Sequence, residues 1–377
     1  METYAMITGI LLSLTGLLYC GLIGLFTMGW QWAKGALTSA STSPGVKVSV
    51  IIAARNEENN LAFLLADLKN QDYPPELLQV IVVDDHSEDN TAEIAGDFIA
   101  KHDLAGFKVI KIENDDKEGK KAAITHGISS SEGSLILVTD ADCRLQPGWI
   151  SAMATNFQDD KIMMIFGPVS YSPRKGLLNK FQSLEFSALV ASGGGAASAG
   201  YPFMCNGASL AYRKSSFLQV KGFEGNERFL SGDDVFLMHK IKKEFGKRAI
   251  GFIKDTRAMV LTSPAPGSRA FINQRIRWAS KSKGYRDLFA AATALIVFAY
   301  NAGIAAMFLA GFFNSISFIL FSGSVLIKAG IDFALMWGVT GFTGNRKLMK
   351  WYLPFEAVYP FYVVLAGILS LFGKKKW

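Results

Sequence analysis

The sequence predicts an α/β domain with a parallel sheet, set between membrane-spanning helices at the two ends of the chain. Three observations predict it: charge-free apolar runs near both termini, strand and helix signals that alternate from residue 47 to about 150, and acidic clusters where those strands end. Of the 377 residues, 50% are hydrophobic and 19% charged, with a mean hydropathy of +0.23. A soluble chain carries about 25% charged residues, so the apolar excess has to be placed somewhere.

Residues 3–33 contain no charge, enough to cross a hydrocarbon core of about 30 Å as a helix. A secretory signal would put Lys or Arg ahead of a shorter apolar core, and METYAMITGI has neither. The stretch is read as a retained N-terminal transmembrane helix, with Lys34 placing the next segment of chain on the cytoplasmic side. Residues 34–46, with GALTSASTSPGV, read as a linker.

A second charge-free run, Leu288 to Ile327, is too long for one span. It predicts spans at about 288–311 and 316–338 that turn at GFFN, Gly311–Asn314, and a last apolar segment at 353–372 holding Pro354, Glu356 and Pro360. With the N-terminus outside, the loop GNRKLMK falls inside, as the positive-inside rule prefers, while the terminal GKKKW falls outside unless the last segment is re-entrant or interfacial. Lys328 and Asp332, four apart within a span, need partners there. An ion pair between them is the favoured reading over a path for an acceptor.

The three cysteines, Cys20, Cys143 and Cys205, form no metal-type spacing and no disulfide framework. The net charge of +7 is accounted for by Lys and Arg flanking membrane segments beside anionic lipid. No interleaving of aromatic and basic residues points to nucleic acid as a partner.

Between the apolar ends, KVSVIIAA, LLQVIVVDD, FKVIKI and SLILVTD read as strands. NEENNLAFLLADLKN, SEDNTAEIAGDFIAKH (capped by Ser87 or Asp89) and KEGKKAAITHGISS read as helices. Such alternation means a parallel sheet covered on both faces, and its sites lie beyond the carboxyl ends of the strands. ARNEE, DDHSED and TDADC stand at those ends. Further on, ASGGGAASAGYPFMCNGAS is expected as loop or close-packed backbone.

Four groups of residues carry chemistry. Asp140 and Asp142 leave a strand two apart, on one side; a hard divalent cation would relieve their repulsion, and a solvated turn is the alternative. Asp84 and Asp85 at another strand end can accept hydrogen bonds from a ribose or a base, or simply cap a helix. Gly232, Asp233 and Asp234 precede an amphipathic helix, where an acid is either a cap or a general base. Gln274, Arg277 and Trp278 share a helix face at i, i+3 and i+4. Arg suits phosphate and Trp a sugar or lipid surface, although Arg and Trp also anchor helices at headgroup depth.

Taken in order, VSVIIAARNEE, VIVVDDHSEDNT, KEGKKAAITHG, ILVTDADC, FMCNGASLAYRK, SGDD and QRIRW resemble the family 2 glycosyltransferases over residues 46–285. That inverting family includes cellulose, chitin and hyaluronan synthases and many lipid glycosyltransferases. The resemblance implies a GT-A (Rossmann-like) fold over 47–270, an interfacial helix with the Q-x-x-R-W motif at 271–287 and a membrane region at 288–377. It further implies a UDP-sugar donor and Mn2+ or Mg2+. By the same resemblance, Ala53, Arg55 and Glu57 line the nucleotide, Asp85 and Asp84 approach the uracil, and Lys120 lies near the base or diphosphate. Asp140 approaches the ribose or metal, Asp142 binds the metal and Asp234 is the catalytic base. Cys205, Asn206, Gly207, Asp233, Gln274 and Trp278 fall to the acceptor side, with Arg277 on the diphosphate. Ala53 stands where Pro is frequent and His86 where Gly is.

The expected function is inverting sugar transfer to a lipid or lipid-linked acceptor, by a multi-pass protein of the inner (cytoplasmic) membrane whose catalytic domain is cytoplasmic. A processive polysaccharide synthase is the alternative. A catalytically silent sugar-nucleotide-binding component and a nucleotidyltransferase are weaker fits, the first because every acidic position is intact.

Overall fold

A computed structural model describes residues 2–35, 45–112, 118–226, 232–280, 284 and 287–372. Most of the expected linker and the terminal GKKKW lie outside the described residues. In chain order the helices are α1 (Glu2–Trp32), α2 (Leu61–Lys69), α3 (Thr91–His102), α4 (Lys120–Ser129), α5 (Trp149–Thr155), α6 (Leu177–Ser198), α7 (Lys214–Gln219), α8 (Asp233–Phe245), α9 (Gly267–Ser280), α10 (Leu288–Gly311), α11 (Ser315–Phe342) and α12 (Tyr352–Phe372). The strands are β1 (Val48–Ala54), β2 (Leu78–Asp84), β3 (Phe107–Lys111), β4 (Leu135–Asp140), β5 (Arg144–Leu145), β6 (Met164–Phe166), β7 (Val169–Tyr171), β8 (Leu210–Arg213), β9 (Ile250–Phe252) and β10 (Val260–Thr262). Two compact units result: Ala33–Ser172 with Gly200–Ser263, and Met1–Trp32 with Pro173–Ala199 and Pro264–Trp377.

The first unit holds a seven-stranded sheet in the order β3-β2-β1-β4-β8-β6-β9 and a three-stranded sheet in the order β5-β10-β7. Continuous apolar runs in β1 and β2 are buried along their length, as strands covered on both faces must be. From β3 to β4 the pairing is parallel, and the register sets Ala53 beside both Val83 and Asp140, and Ala54 beside Asp84. Three strands thus end level, and their acids emerge at one edge. The parallel sheet expected up to about residue 150 is present in β1 to β4, and beyond it the sheet becomes mixed, because β8 runs antiparallel to both β4 and β6. α4 lies directly on the sheet: a Cβ on Gly127 would stand 2.5 Å from Ile51 Cγ2, so no side chain fits there without displacement.

α2 begins later than the helix expected from NEENN, leaving Glu57 and Glu58 in the loop before it. Those loop residues tie the ends of β1 and β2 together instead. The amides of Asn56, Glu57 and Glu58 donate to Ser87 Oγ (3.0 Å), Thr91 Oγ1 (2.7 Å) and Asp89 Oδ2 (3.1 Å), and Asn56 Oδ1 accepts from the Glu88 amide (2.8 Å). Asp89 also accepts from the Thr91 amide at the start of α3, whereas Ser87 serves the neighbouring loop.

In the second unit, α1, α10, α11 and the 346–371 segment containing most of α12 are long and apolar enough to cross a membrane. Asn314, the last residue of the expected GFFN turn, caps α11 by accepting from the Ile316 amide. Residues 191–198, expected as loop or close-packed backbone, form the last turns of α6, and the close packing is real. A Cβ on Gly195 would stand 2.2 Å from Phe26 O, and one on Gly29 1.9 Å from Gly195 O. α1 and α6 therefore cross backbone to backbone, as small residues allow.

Lys328 is 1% exposed. Its ammonium donates to Asp332 Oδ2 at 2.7 Å and to Glu356 Oε1, while Tyr19 Oη donates to Asp332 at 2.9 and 2.8 Å. The expected ion pair is present, enlarged by Glu356 and Tyr19 into a network that binds α1, α11 and α12. Removing the cation from such a network strands two carboxylates in an apolar setting. Lys328→Met is expected to cost about 3–5 kcal/mol, read as a lower melting temperature of the detergent-solubilised protein, and Asp332→Asn with Glu356→Gln should restore much of that loss.

Candidate active site

The level ends of β1, β2 and β4 deliver the acidic clusters to one edge of the sheet, and the N-termini of α4 and α8 bring the remaining groups to it. Asp140, the last residue of β4, and Asp142, in the turn after it, are both half-buried. One ligand atom from each, together with Cys143 Sγ, lies within 4.8 Å of the others. Burial, and then the neighbouring Asp140 charge, push the Asp142 carboxyl up. Thr262 Oγ1 donates to Asp142 Oδ2 at 3.1 Å and so fixes one of its oxygens.

Lys120 opens α4. Its ammonium lies 2.5 Å from Asp140 Oδ1 and 3.3 Å from Asp233 Oδ2. Burial works against its charge, but Asp140, Asp233 and Asp234 outweigh burial and hold the amine well above its ordinary value. One cation therefore joins the end of β4 to the start of α8.

Asp233 and Asp234 are the first two residues of α8, after Gly232 with φ +90°. Both therefore lie within the first turn of α8, one and two residues past the N-cap position at Gly232. Asp234 Oδ2 accepts from the Gly207 amide at 3.1 Å, and Oδ1 from the Val235 amide at 2.8 Å. Cys205, Asn206 and Gly207 form the loop into β8, with Asn206 Oδ1 accepting from the Ala208 amide at 3.0 Å. A Cβ on Gly207 would stand 3.4 Å from Asp233 Oδ2 and 3.5 Å from Lys120 Nζ, which places this loop against the carboxylate–lysine cluster.

On the other side of the cluster, Asp85 accepts from the Gly119 amide with both oxygens, at 3.1 and 3.0 Å, and contacts His86 Nδ1 at 3.1 Å. Asp84 is buried at the end of β2, and its Oδ1 has no hydrogen-bond partner among the described residues. A buried carboxylate oxygen left in that state calls for a donor from outside the chain's described residues. Glu57 is half-buried, and its carboxyl is pushed up by burial, with Asp142 and Asp140 adding to the effect against a hydrogen bond from Asn60. Arg55 is exposed beside Glu118 at 3.5 Å, and Ala53 lies next to Asp140 in the sheet. His86 adopts φ +57°, the left-handed region that favours Gly and explains why Gly is frequent there.

These residues fit a hard divalent cation. Asp140 and Asp142 offer oxygen ligands in a half-buried turn where their mutual repulsion raises one of them, the situation that a cation relieves. Cys143 Sγ lies beside them, and burial with the two aspartates holds its thiol well above the ordinary range. Without a cation, the protonated thiol is the favoured form there.

Gln274, Arg277 and Trp278 lie on α9 in the other unit. Within that unit Gln274 Oε1 accepts from Arg275 Nη1 at 2.5 Å, and Trp278 packs 6.1 Å from the Phe186 ring, centroid to centroid. Reading a helix face at i, i+3 and i+4 missed Arg275, the residue between them that is buried. Thr262 and Glu185 were missed for a different reason: each lies remote in sequence from the group it touches.

The family model described as "Glycosyl transferase family 2" matches residues 49–219, and that described as "Glycosyl transferase family group 2" matches 135–368. Among curated proteins, the chain is similar to the probable glycosyltransferase YdaM of Bacillus subtilis, 41% identical over 96 residues, 26% of this chain and 23% of the relative. It is similar to glycosyltransferase AglE of Haloferax volcanii, 30% identical over 129 residues, 34% and 41% of the two chains. An N-acetylglucosaminyltransferase of Rhizobium meliloti is 26% identical over 265 residues, 68% and 60% of the two. The chain thus spans less than two thirds of each of these relatives. Among solved structures it resembles the mannosyltransferase PcManGT of Pyrobaculum calidifontis in complex with GDP-Man and Mn2+. The TM-score is 0.66 at 18% identity, with 99% of each chain covered, which shows the shared GT-A fold.

Asp142 gives the site a pH signature. Because its folded value is raised, the cation-free protein gains stability from protonating it; that gain is complete below the ordinary carboxylate range and lost as pH rises through the raised value. Asp142→Asn should therefore raise the melting temperature of the cation-free protein at neutral pH, by about 1 kcal/mol in stability, and remove Mn2+ binding followed by electron paramagnetic resonance. In the unsubstituted protein, Mn2+ affinity should begin to fall on acidification at a higher pH than an ordinary carboxylate would give.

Proposed function

From the premise that the chain belongs to glycosyltransferase family 2, we propose that it transfers a sugar from a nucleotide-diphospho-sugar to a lipid or lipid-linked acceptor at the cytoplasmic face of the inner membrane. The observation that carries this reading is the convergence of Asp140, Asp142, Asp233, Asp234 and Lys120 at one sheet edge, held by one ammonium and by the amides of Gly207 and Val235.

Asp142, helped by Asp140, would hold Mn2+ or Mg2+, which supplies charge neutralisation on the departing diphosphate. Asp234 is the group that takes the acceptor's proton. Both of its oxygens are oriented by backbone amides, so its remaining lone pairs have a set direction. As the acceptor oxygen bonds to the anomeric carbon, the bond from that carbon to the diphosphate oxygen breaks, its electron pair leaves with the nucleoside diphosphate, and the proton ends on Asp234. Attack from the opposite face inverts the configuration. Ala53, Arg55, Glu57, Asp84 and Asp85 serve the nucleotide on this reading, with the partnerless oxygen of Asp84 as an acceptor for a ribose or base donor. The roles of Gln274, Arg277 and Trp278 toward diphosphate and acceptor rest on the resemblance of their motif. A UDP-sugar is the donor that resemblance favours; PcManGT was seen with GDP-Man, so both nucleotides belong in the test.

The test supplies labelled UDP- and GDP-sugars with Mn2+ to the protein in nanodiscs made from a total bacterial lipid extract, and sizes the products. A lipid carrying one added sugar supports the proposal, a ladder or polymer supports the processive alternative, and no transfer with any donor defeats it. Asp234→Asn should lower transfer by about 10²–10⁴-fold while leaving donor binding in place. Asp142→Ala should weaken Mn2+-dependent donor binding as well, both measured by calorimetry beside the transfer assay.

A further inference from the structure

We propose that Arg275 and Glu185 are positioning residues that set Gln274 and Trp278 for contact with the acceptor. The proposal rests on the reading of those two residues as acceptor groups, and it explains how they are held.

Along α9, Phe271, Arg275 and Trp278 recur at i, i+4 and i+7, so one face carries all three. Arg275 is 4% exposed, and its guanidinium carbon lies 4.6 Å from the Phe271 ring centroid and 4.2 Å from that of Trp278. Its Nε donates to Glu185 Oε1 and Oε2 at 2.9 and 3.1 Å, its Nη2 donates to Oε2, and its Nη1 donates to Gln274 Oε1 at 2.5 Å. Glu185, on α6, is itself buried and accepts from Tyr362 Oη of α12 at 3.1 Å. One planar cation is thus fixed by three helices and two rings.

A buried ion pair adds little net stability over an apolar contact of the same shape. What a bidentate guanidinium adds is direction, because its donors lie in one rigid plane. Both neighbours feel that direction. The Gln274 carbonyl is occupied, so the half-buried amide has its NH2 group, two donors, left to present to a hydroxyl or phosphate oxygen. The Trp278 ring is pinned through its π-face by the cation and packed beside Phe186. Trp278 is only half-buried, so part of an oriented aromatic surface remains for the apolar face of a sugar or a lipid. Lysine could keep the charge on Glu185, but it has no second arm to hold Gln274 and no plane to stack on Trp278.

The experiment compares Arg275→Lys and the isosteric Glu185→Gln with the unsubstituted protein in nanodiscs carrying the lipid fraction that it glycosylates. The readouts are KM for that lipid, donor hydrolysis without acceptor, and melting temperature. Arg275→Lys should raise the acceptor KM about tenfold, the scale of misplacing a contact group, with hydrolysis changed less than about twofold. Glu185→Gln should shift KM in the same direction by less, which covers the case in which the lysine variant does not fold. Hydrolysis and transfer falling in proportion, or neither changing, would overturn the proposal, because a purely structural pair has no reason to single out the acceptor. Trp278→Ala is the control. If that variant leaves the acceptor KM unchanged, the underlying assignment of Trp278 fails; if it raises KM while Arg275→Lys and Glu185→Gln do not, only the positioning role fails.

Discussion

The site is organised around a surplus of negative charge that the chain answers with Lys120. Asp140, Asp233 and Asp234 all act on Lys120, and Asp140 and Asp142 act on one another. Lys120 neutralises part of this surplus by bridging β4 and α8. Its ion pairs go to Asp140 and Asp233, so the pair emerging from β4 stays under-neutralised. On the proposed reading, that residual imbalance suits the edge of the sheet to a divalent cation and a diphosphate. The stability given up by crowding carboxylates is the same property that creates affinity for a cation.

How much of this is legible in the sequence depends on whether the signal is local. β1, β2 and β4 announce themselves because a strand buried on both faces must be apolar throughout, and the acids that end them break that pattern at the functional edge. β5, β6, β7, β9 and β10 are two or three residues long, too short for any periodicity, so neither the far edge of the large sheet, β6 and β9, nor the small sheet carrying Thr262 could be read. The glycine run in α6 reads as irregular because its lack of side chains is a tertiary requirement, the passage of Phe26 O, that helix propensity does not encode. The resemblance of the motifs in order compensated for much of this, since it assigned Lys120 and Asp234 to the site where short-range patterns allowed several readings.

Arg275 shows the limit from the other side. A helical-wheel reading treats a motif as a face and looks for ligands on it. It has no means of telling that a residue within the motif turns inward to a carboxylate about ninety positions away. Buried polar groups are hydrogen-bonded, so Glu185 inside an apolar helix was a cue that a partner existed, but its identity came only with the fold.

The network around Lys328 bears on the order in which the protein is made. Tyr19 and Asp332, which accepts its hydroxyl, are 313 positions apart, and Glu356, which completes the charge balance, follows later still. α1 is thus secured by α11 and α12, and the α/β unit is translated in the interval between them. The contact between α1 and this network therefore cannot close until the α/β unit that separates them in the chain has been synthesised.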